Sequence, residues 1–488
     1  MKNYRKLILK EKRIIAICVF LTFLLTNIFT VAIADGNNGA RNNIAKWTYM
    51  IYASWDTKLC INDTFCLLRD MERVGSNEEL NIVMLMDTKY PVNKTSFYYV
   101  IKNNTVNLSW YEKDSNLGDK DTLTRFIKRV KTDFPAEKYG LILASPHGMS
   151  WQGVCQDNDL NKGYTQSQLD ATFMDMSELT SALRECTNNG RDKIDLIGFC
   201  CCITGSLEVA YQIAPYVNYM VASEQNMQSY TSNPEYTWPH YKSVSALKND
   251  TDMTPEQFAK CIVSNFKAGC NTSAYLTMHP FKKKVNIPVN TTLSAVNLSR
   301  INDVAIAVDN LALNLIDNIS EYKDIIKNAR SEAKKFGPWY AKMGYFTYGP
   351  TSRKIMAKLG IVYFMDVWID LYHFSELLYK KVQTNNAESE RIKIACLQVM
   401  NAINLSIMAN NVVPGDNAHG LHIYFPPNAG IYDKHLWPYG ISKIRRGYAP
   451  YENLDFARTT HWNELLYKVY GIPNGLVNLW LKLKIRTS

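Results

Sequence analysis

Short, strongly apolar runs alternate with amphipathic stretches through the first half of the chain, and this alternation admits few folds. Short apolar runs predict buried strands, and helical periodicity between them predicts helices that cover both faces of a parallel sheet. We therefore predict an α/β fold with a mostly parallel central sheet. The predicted strands cover residues 46–53, 80–86, 97–102, 140–144, 193–199 and 219–222, and the predicted helices cover 122–133, 176–185 and 206–214.

The second half of the chain, from about residue 296, has mainly helical periodicity. Helices are predicted over residues 305–316, 362–378 and 391–408. A late strand is predicted over 420–425, and the two prolines after it should end it. We expect this strand to join the edge of the central sheet, so that a core of residues 45–300 carries a mainly helical region, 301–475, packed on it.

A capping box predicts one further helix in the core. Thr254 precedes Pro255, and Gln257 follows three residues after the threonine. A threonine cap with a glutamine at this spacing satisfies two backbone N–H groups at a helix start. The helix should run to about Phe266.

The amino terminus has the pattern of a secretory signal peptide. Six Lys and Arg residues precede an apolar run from Ile14 to Val31, and the small-residue stretch up to Ala34 follows. We predict that residues 1–34 are removed, which makes the mature protein secreted or extracytoplasmic, with no stable membrane insertion. An uncleaved anchor is the alternative, and the polar residues Thr22 and Asn27 within the run favour cleavage.

Net charge gives little support to a nucleic-acid partner. The chain carries a formal charge of +10, and its first 34 residues contain six Lys or Arg and one Glu, so about +5 remains after cleavage. A basic stripe interleaved with aromatic residues is absent from the sequence. We therefore expect no nucleic acid among the partners.

Ten of the eleven cysteines lie after the predicted signal peptide, and in an exported protein they raise the question of disulfides. Cys60 with Cys66, and Cys261 with Cys270, are candidate pairs by proximity alone. Buried free thiols are the alternative, since a core of this size needs no covalent staples. Zinc is disfavoured, because consecutive cysteines cannot easily direct their sulfurs at one ion and the sequence has no CxxC pair.

His147 and Cys202 each follow a predicted buried strand, in the stretches LILASPHG and KIDLIGFCCC. Ends of neighbouring parallel strands meet at one edge of a sheet, so a thiol and an imidazole can come together there. A histidine can accept the thiol proton and make the sulfur a strong nucleophile. The backbone N–H groups at Gly148 and Cys202 are then the candidate oxyanion hole.

These stretches resemble the clostripain family of cysteine peptidases. KWTYMIYAS is similar to the family's first strand, the segment ending in LILASPHG to the one that carries its catalytic His, and IDLIGFCCCITGSLEVAYQ to the one that carries its catalytic Cys. NYMVASE and GLHIYFPP resemble later strands, so the likeness runs from about Trp47 to Pro427. It implies a caspase-like α/β/α sandwich, with His147 as base and Cys202 as nucleophile.

One position departs from the family pattern in a way that affects specificity. Cys200 stands where the resemblance implies an Asp near the specificity pocket, which pairs with the Arg or Lys before the scissile bond. A buried guanidinium without a partner costs several kcal/mol. Glu224 and Glu235 are the nearest replacement carboxylates in sequence, and Trp151 is a candidate pocket wall.

The resemblance also implies self-cleavage between the His and Cys segments, giving a monomer or an associated two-chain form. The intervening stretch QDNDLNKGYTQSQ is polar, and Lys162 within it is the predicted cut site. No cofactor is required by the predicted chemistry. The resemblance to the clostripain family makes calcium a candidate ion, but the sequence has no EF-hand pattern, so no metal site is assigned.

The sequence thus predicts a secreted cysteine endopeptidase acting on protein or peptide substrates, with a preference for cleavage after Arg or Lys. Two alternatives stay open. A catalytically impaired, exported binding protein would keep the fold without turnover. A peptidase that prefers uncharged residues before the cut would account for Cys200.

Overall fold

A computed structural model describes residues 44–55, 61–88, 94–108, 115–146, 148–157, 173–228, 235–278, 281–337, 367–429 and 451–471. The described residues from Ala45 onward form one unit. None of the helices described in these ranges is long and apolar enough to cross a membrane.

The strands follow the predicted order closely in the first half of the chain. In chain order they are β1 (Ala45–Ser54), β2 (Leu80–Thr88), β3 (Lys94–Ile101), β4 (Asn104–Asn107), β5 (Ala136–Ala144), β6 (Val154–Gln156), β7 (Phe173–Met174), β8 (Ile194–Cys200), β9 (Val217–Ala222), β10 (Cys270–Met278), β11 (Phe281–Val289), β12 (Leu293–Asn297), β13 (Lys335–Phe336), β14 (Trp368–Asp370), β15 (Ile407–Asn411) and β16 (His422–Tyr424).

The helices include all three predicted between the early strands. In chain order they are α1 (Ile61–Val74), α2 (Lys120–Asp133), α3 (Met176–Cys186), α4 (Leu207–Ile213), α5 (His240–Asn249), α6 (Pro255–Asn265), α7 (Ile301–Asp317), α8 (Ile319–Glu332), α9 (Leu371–Lys381), α10 (Ala387–Ser406), α11 (Asp455–Thr459) and α12 (Trp462–Tyr470), with short 3-10 turns at Leu298–Arg300 and Tyr451–Asn453.

A nine-stranded sheet, in the order β15-β12-β9-β8-β5-β1-β2-β3-β4, forms the centre of the described structure. Its middle strands, from β9 to β2, run parallel, whereas β3 and β4 at one edge and β12 and β15 at the other are antiparallel. This confirms the predicted α/β class and the mostly parallel sheet. The carboxyl ends of β1, β5 and β8 therefore lie side by side at one edge.

Both faces of the central strands are buried, which explains the long apolar stretches in their sequences. In β1, Met50 and Tyr52 face one core, and Tyr49, Ile51 and Ala53 face the other. Successive side chains of a strand point to opposite faces. Helices α2, α3, α4, α7 and α10 cover the first face, and α1, α5 and α6 cover the second, which makes an α/β/α sandwich.

The late strand pairs differently from the prediction. β16 joins a small sheet in the order β13-β14-β16, and the edge of the central sheet is instead β15. Helix α10 ends at Ser406 and leads directly into β15, which pairs antiparallel with β12. The C-terminal region therefore supplies the edge strand one element earlier than expected.

The predicted helix over 362–378 is wrong at its start. Within the described part, residues 368–370 form strand β14, and helix α9 begins only at Leu371. The Asp370 side chain accepts a hydrogen bond from the His373 N–H at 2.6 Å, so this aspartate caps the helix. The apolar residues of the strand and of the helix that follows it form one continuous pattern in the sequence, which is why a single long helix was predicted.

Helix α6 begins as predicted. Thr254 accepts from the N–H of Gln257, and the Gln257 side chain accepts from the Thr254 N–H, so the capping box is complete. Helix α1 and the β10-β11 hairpin were not predicted. Helix α1 proves relevant to the site, because it starts at the carboxyl edge of β1.

Candidate active site

The strands that precede His147 and Cys202 are direct neighbours. β5 and β8 pair in parallel, with Ala144 opposite Cys200, and the Ser145 N–H donates to the Cys200 carbonyl oxygen at 3.2 Å. Both loops therefore leave the sheet from the same point. This is the juxtaposition that the two sequence stretches predicted.

Beyond the strand ends, the two loops stay in contact. The partly exposed Cys202 thiol lies 4.0 Å from the carbonyl oxygen of Pro146, to which it donates. A Cβ atom at Gly148 would lie 2.4 Å from the Cys202 carbonyl oxygen, closer than side chains can approach. His147 itself lies outside the described residues, and its two chain neighbours both lie against the Cys202 segment.

The segment after Cys202 is held in a conformation that few residues adopt. Ile203 has a φ of 49°, in the left-handed region that costs a β-branched residue about 1–2 kcal/mol. Hydrogen bonds to the end of β9 compensate, because the Ile203 N–H donates to Gln225 and the N–H groups of Thr204 and Gly205 both donate to Ser223. These bonds fix the direction in which the chain leaves Cys202.

The turn after His147 is also tightly closed. Met149 and Gly153 are joined by a backbone hydrogen bond of 3.1 Å, and Ser150 at the tip has a φ of 55°. Trp151 is buried in this turn. Its ring packs edge-on against Tyr424 at 5.5 Å and Tyr451 at 5.4 Å, so it anchors the turn to the C-terminal region.

Cys200 and Cys201 point to opposite faces of the sheet and belong to the two different cores. Burial raises the pKa of the Cys200 thiol, and neighbouring Cys202 and Asp63 raise it further. Burial likewise raises the pKa of Cys201 well above the ordinary thiol value. Both thiols are therefore uncharged, and of the three consecutive cysteines only Cys202 is partly exposed.

The two disulfides suggested by proximity are absent from the described part of the chain. Cys66 and Cys261 carry free thiols. Cys60 lies outside the described residues. The alternative of buried thiols in a large core holds for Cys155, Cys186 and Cys396.

Glu224 lies at the end of β9 and is fully buried. One carboxyl oxygen accepts from the Gly420 N–H at 2.8 Å. Burial raises the pKa of Glu224, and the nearby Asp370 carboxylate raises it further, which favours the uncharged acid. The residue connects the central sheet to the C-terminal region.

Glu235 is exposed and forms an ion pair with Lys267 at 2.7 Å, which lowers the pKa of Glu235.

Asp63 is a further candidate for the acid near the specificity pocket, and it is not among the residues predicted from the sequence. It is 2% exposed and lies in the first turn of α1. Leu67 and Met71 of the same helix pack in the core that contains Cys200, and Asp63 contributes to the raised pKa of that thiol. In the sequence, Asp63 could have been identified as an acidic residue at the start of a helix that follows a core strand.

Within the described ranges, no group of three or more His, Cys, Asp or Glu side chains is arranged to hold a metal ion. The predicted cut site, Lys162, lies outside the described residues. The described residues place the Cys202 thiol after the end of a strand. The neighbouring loop lies close to it because Gly148 has no side chain. Such a site can perform acyl transfer through sulfur.

A partly exposed thiol at the end of a parallel strand in an α/β/α sandwich is the arrangement of a cysteine peptidase. The profile described as the clostripain family matches residues 57–474. The chain therefore belongs to the clostripain family and is a cysteine peptidase.

The similarities to individual proteins cover most of the chain. Clostripain from Hathewaya histolytica is 23% identical over 510 residues, which cover 89% of each chain. An inactive zymogen C11 protease from Parabacteroides distasonis has a TM-score of 0.52 at 16% identity, covering 88% of this chain and 99% of its own. A secreted C11 cysteine protease from Bacteroides thetaiotaomicron, in complex with an irreversible peptide inhibitor, has a TM-score of 0.50 at 16% identity, covering 78% and 90%.

Proposed function

We propose that this protein is a secreted endopeptidase that hydrolyses peptide bonds with Cys202 as nucleophile and His147 as general base. The observation that carries the proposal is the contact of both chain neighbours of His147, Pro146 and Gly148, with the Cys202 segment. This contact supports the histidine between them as the base for the thiol. No other cysteine near this edge combines partial exposure with such a contact among the described residues.

The reaction follows from these two groups. His147 takes the thiol proton, and the Cys202 sulfur attacks the carbonyl carbon of the scissile bond. The imidazolium then gives its proton to the leaving amine, and a thioester remains on Cys202. Water, deprotonated by His147, attacks the thioester and expels the Cys202 thiolate, which releases the acid. The imidazolium then returns its proton to the sulfur and restores the thiol. No step requires a metal or an organic cofactor.

The oxyanion must meet preorganised donors beside the nucleophile. The N–H groups of Ile203, Thr204 and Gly205 donate to carbonyl oxygens of Ser223 and Gln225, so they cannot turn towards a substrate without breaking these bonds. The proposed oxyanion hole is formed by the N–H groups of Gly148 and Cys202, because the loops that carry them meet at the nucleophile.

For specificity, we propose cleavage after Arg or Lys with Asp63 as the charge partner. Cys200 is buried and uncharged, so it cannot neutralise a substrate cation. Asp63 is a buried acid in helix α1, and Leu67 and Met71 of this helix pack in the same core as Cys200. Glu224 holds the Gly420 N–H, and Glu235 is exposed to solvent.

Maturation is proposed to proceed by cleavage at Lys162, between the His and Cys segments, to an associated two-chain enzyme. The inactive zymogen among the structural relatives supports a processed family member. Export is proposed from the charged and apolar amino terminus, and a structural relative is described as secreted. Protein or peptide substrates would then be met outside the cytoplasm.

The test compares Cys202→Ala with Cys200→Ala and Cys201→Ala on a fluorogenic peptide library varied at the residue before the cut. Loss of hydrolysis only in the Cys202 variant supports the proposal. A peptidyl electrophile should label wild type and should not label Cys202→Ala or His147→Ala. Unchanged hydrolysis by Cys202→Ala contradicts the assignment, and an absence of labelling in wild type favours a binding protein without turnover.

A further inference from the structure

His422 in β16 contacts both loops of the site. Its backbone N–H donates to the Gly205 carbonyl oxygen at 2.9 Å, three residues after Cys202. Its Nε2 lies 3.0 Å from the Ser150 hydroxyl oxygen, three residues after His147. One residue from the distant C-terminal region therefore joins the segment that carries the nucleophile to the segment that carries the base.

The serine is in an unfavourable backbone conformation that its hydroxyl bond offsets. Ser150 has a φ of 55°, a region where glycine would be less strained, and its side chain is fully buried. Glycine at this position would relieve the strain but would leave His422 without the hydroxyl. The hydrogen bond to His422 gives a physical reason for a serine in this left-handed conformation.

The imidazole of His422 is held in one orientation. It is fully buried, and its ring packs against Phe336 at 5.9 Å and Trp368 at 6.1 Å. Burial lowers the pKa of His422 to about 3, so the ring is neutral. Its Nδ1 has no hydrogen-bond partner among the described residues, which leaves Ser150 as the polar contact of the ring.

We propose that Ser150 and His422 are positioning residues that set the spacing between the His147 and Cys202 segments. The inference rests on the proposed function, in which these segments carry the base and the nucleophile. Proton transfer between a thiol and an imidazole depends on tenths of an ångström, and a rigid buried contact at equal sequence distance from both residues fixes that separation. Neither side chain touches the substrate or the reacting atoms.

The experiment uses the mature enzyme and three substitutions at this contact. Ser150→Ala removes the hydroxyl while the left-handed backbone remains. His422→Phe keeps the ring packed against Phe336 and Trp368 but removes Nε2. His422→Gln restores a polar group near the Nε2 position. Ser406→Ala is the matched control, because Ser406 is equally buried and its hydroxyl bonds the Ile403 carbonyl oxygen in α10, away from both loops.

Ser150→Ala and His422→Phe should each lower kcat about tenfold with KM within about twofold, since substrate contacts are unchanged. The double variant should lose little more than either single one, because both remove the same bond. His422→Gln should recover most of kcat, and Ser406→Ala should keep it. The pH profile of Cys202 alkylation by iodoacetamide should shift in the first two variants and not in the control.

A lower melting temperature with unchanged kcat and an unchanged alkylation profile in both single variants would overturn the proposal and leave a purely structural contact. If His422→Phe does not fold, Ser150→Ala still decides the question. Failure of the proposed function itself has a separate signature. In that case wild type shows no hydrolysis that depends on Cys202.

Discussion

A Cβ atom at Gly148 would lie 2.4 Å from the carbonyl oxygen of Cys202 and 2.9 Å from the Cys201 sulfur. Gly148, which follows the proposed base, therefore lies directly against the backbone of Cys202, the proposed nucleophile. Any side chain at position 148 must push the two loops apart. Close approach, and not a special φ angle, is the reason for this glycine.

Gly148→Ala should therefore lower kcat/KM by at least about tenfold, because the loops separate and the proton-transfer geometry is lost. Gly140→Ala is the matched control in β5, since its Cβ would meet only the Tyr49 ring at an ordinary 3.5 Å. Steady-state kinetics on one fluorogenic peptide measure both variants. Equal activity of the two would mean that the contact is unimportant.

Asp63→Asn should reduce kcat/KM for substrates with Arg or Lys before the cut by roughly 100-fold, about 3 kcal/mol, and spare uncharged ones. A buried substrate cation would lose its partner. Asp70→Asn, on the same helix, changes an acid that pairs with Arg73 and should leave the preference intact. If Glu224→Gln or Glu235→Gln abolishes the basic preference instead, Asp63 is not the partner.

Glu208→Gln should change how stability depends on pH. Burial raises the pKa of Glu208 to about 7, above its ordinary value. The folded state thus disfavours the charged form, so the stability linked to Glu208 is fully present below about pH 4.3 and is lost as pH rises through about 7. The total loss is about 3 kcal/mol.

The amide that replaces the Glu208 carboxyl in this variant cannot ionise, but it keeps an acceptor for the Tyr424 N–H and the Tyr451 hydroxyl. Urea unfolding of both proteins at pH 5 and pH 8 measures the effect. The variant should gain stability relative to wild type between these two values, while other titrating groups cancel in the comparison. Parallel profiles would show that Glu208 does not titrate in this range.

Lys162→Gln should keep the purified protein in one chain, if the cut lies after this residue. Mass spectrometry detects the intact stretch from Asn161 to Gln168 in the variant and its loss in wild type. Cys202→Ala should also stay uncut, because the cleavage is its own reaction. A fully active wild type with this stretch intact would exclude processing at Lys162.

Dialysis against EDTA should leave kcat/KM within about twofold of its starting value, since no step of the proposed chemistry uses a metal. Activity should then be unaffected by added calcium. A loss that calcium restores, and magnesium does not, would reveal a calcium requirement. The melting temperature measured alongside separates a structural ion from a catalytic one.

Much of the site was predictable because it lies at the ends of two apolar strands. The stretches before His147 and Cys202 are buried on both faces, so their apolar pattern has no break, and parallel neighbours end at one edge. Asp63 was not predictable in the same way. Its helix is separated from Cys200 by more than a hundred residues, and only packing against the second face of the sheet relates the two.

The late strand shows the same limit. Its apolar sequence predicted a strand correctly, but β-strands of similar composition can pair with different partners, and β15 took the central edge. β16 instead lies against both loops, through Gly205 and Ser150. No local pattern in the sequence distinguishes these two outcomes.

The sequence by itself determined the class of fold, the order of the core strands and the two residues expected to do the chemistry. The spacing of apolar residues and the positions where strands end are local properties of the chain, so a sequence pattern can show them. Tertiary structure alone decided which glycine lies against the Cys202 carbonyl, which acid lies on the helix that packs beside Cys200 and which histidine joins the two loops. Those relationships depend on distances between segments far apart in the chain, and only the packed sheet brings them together.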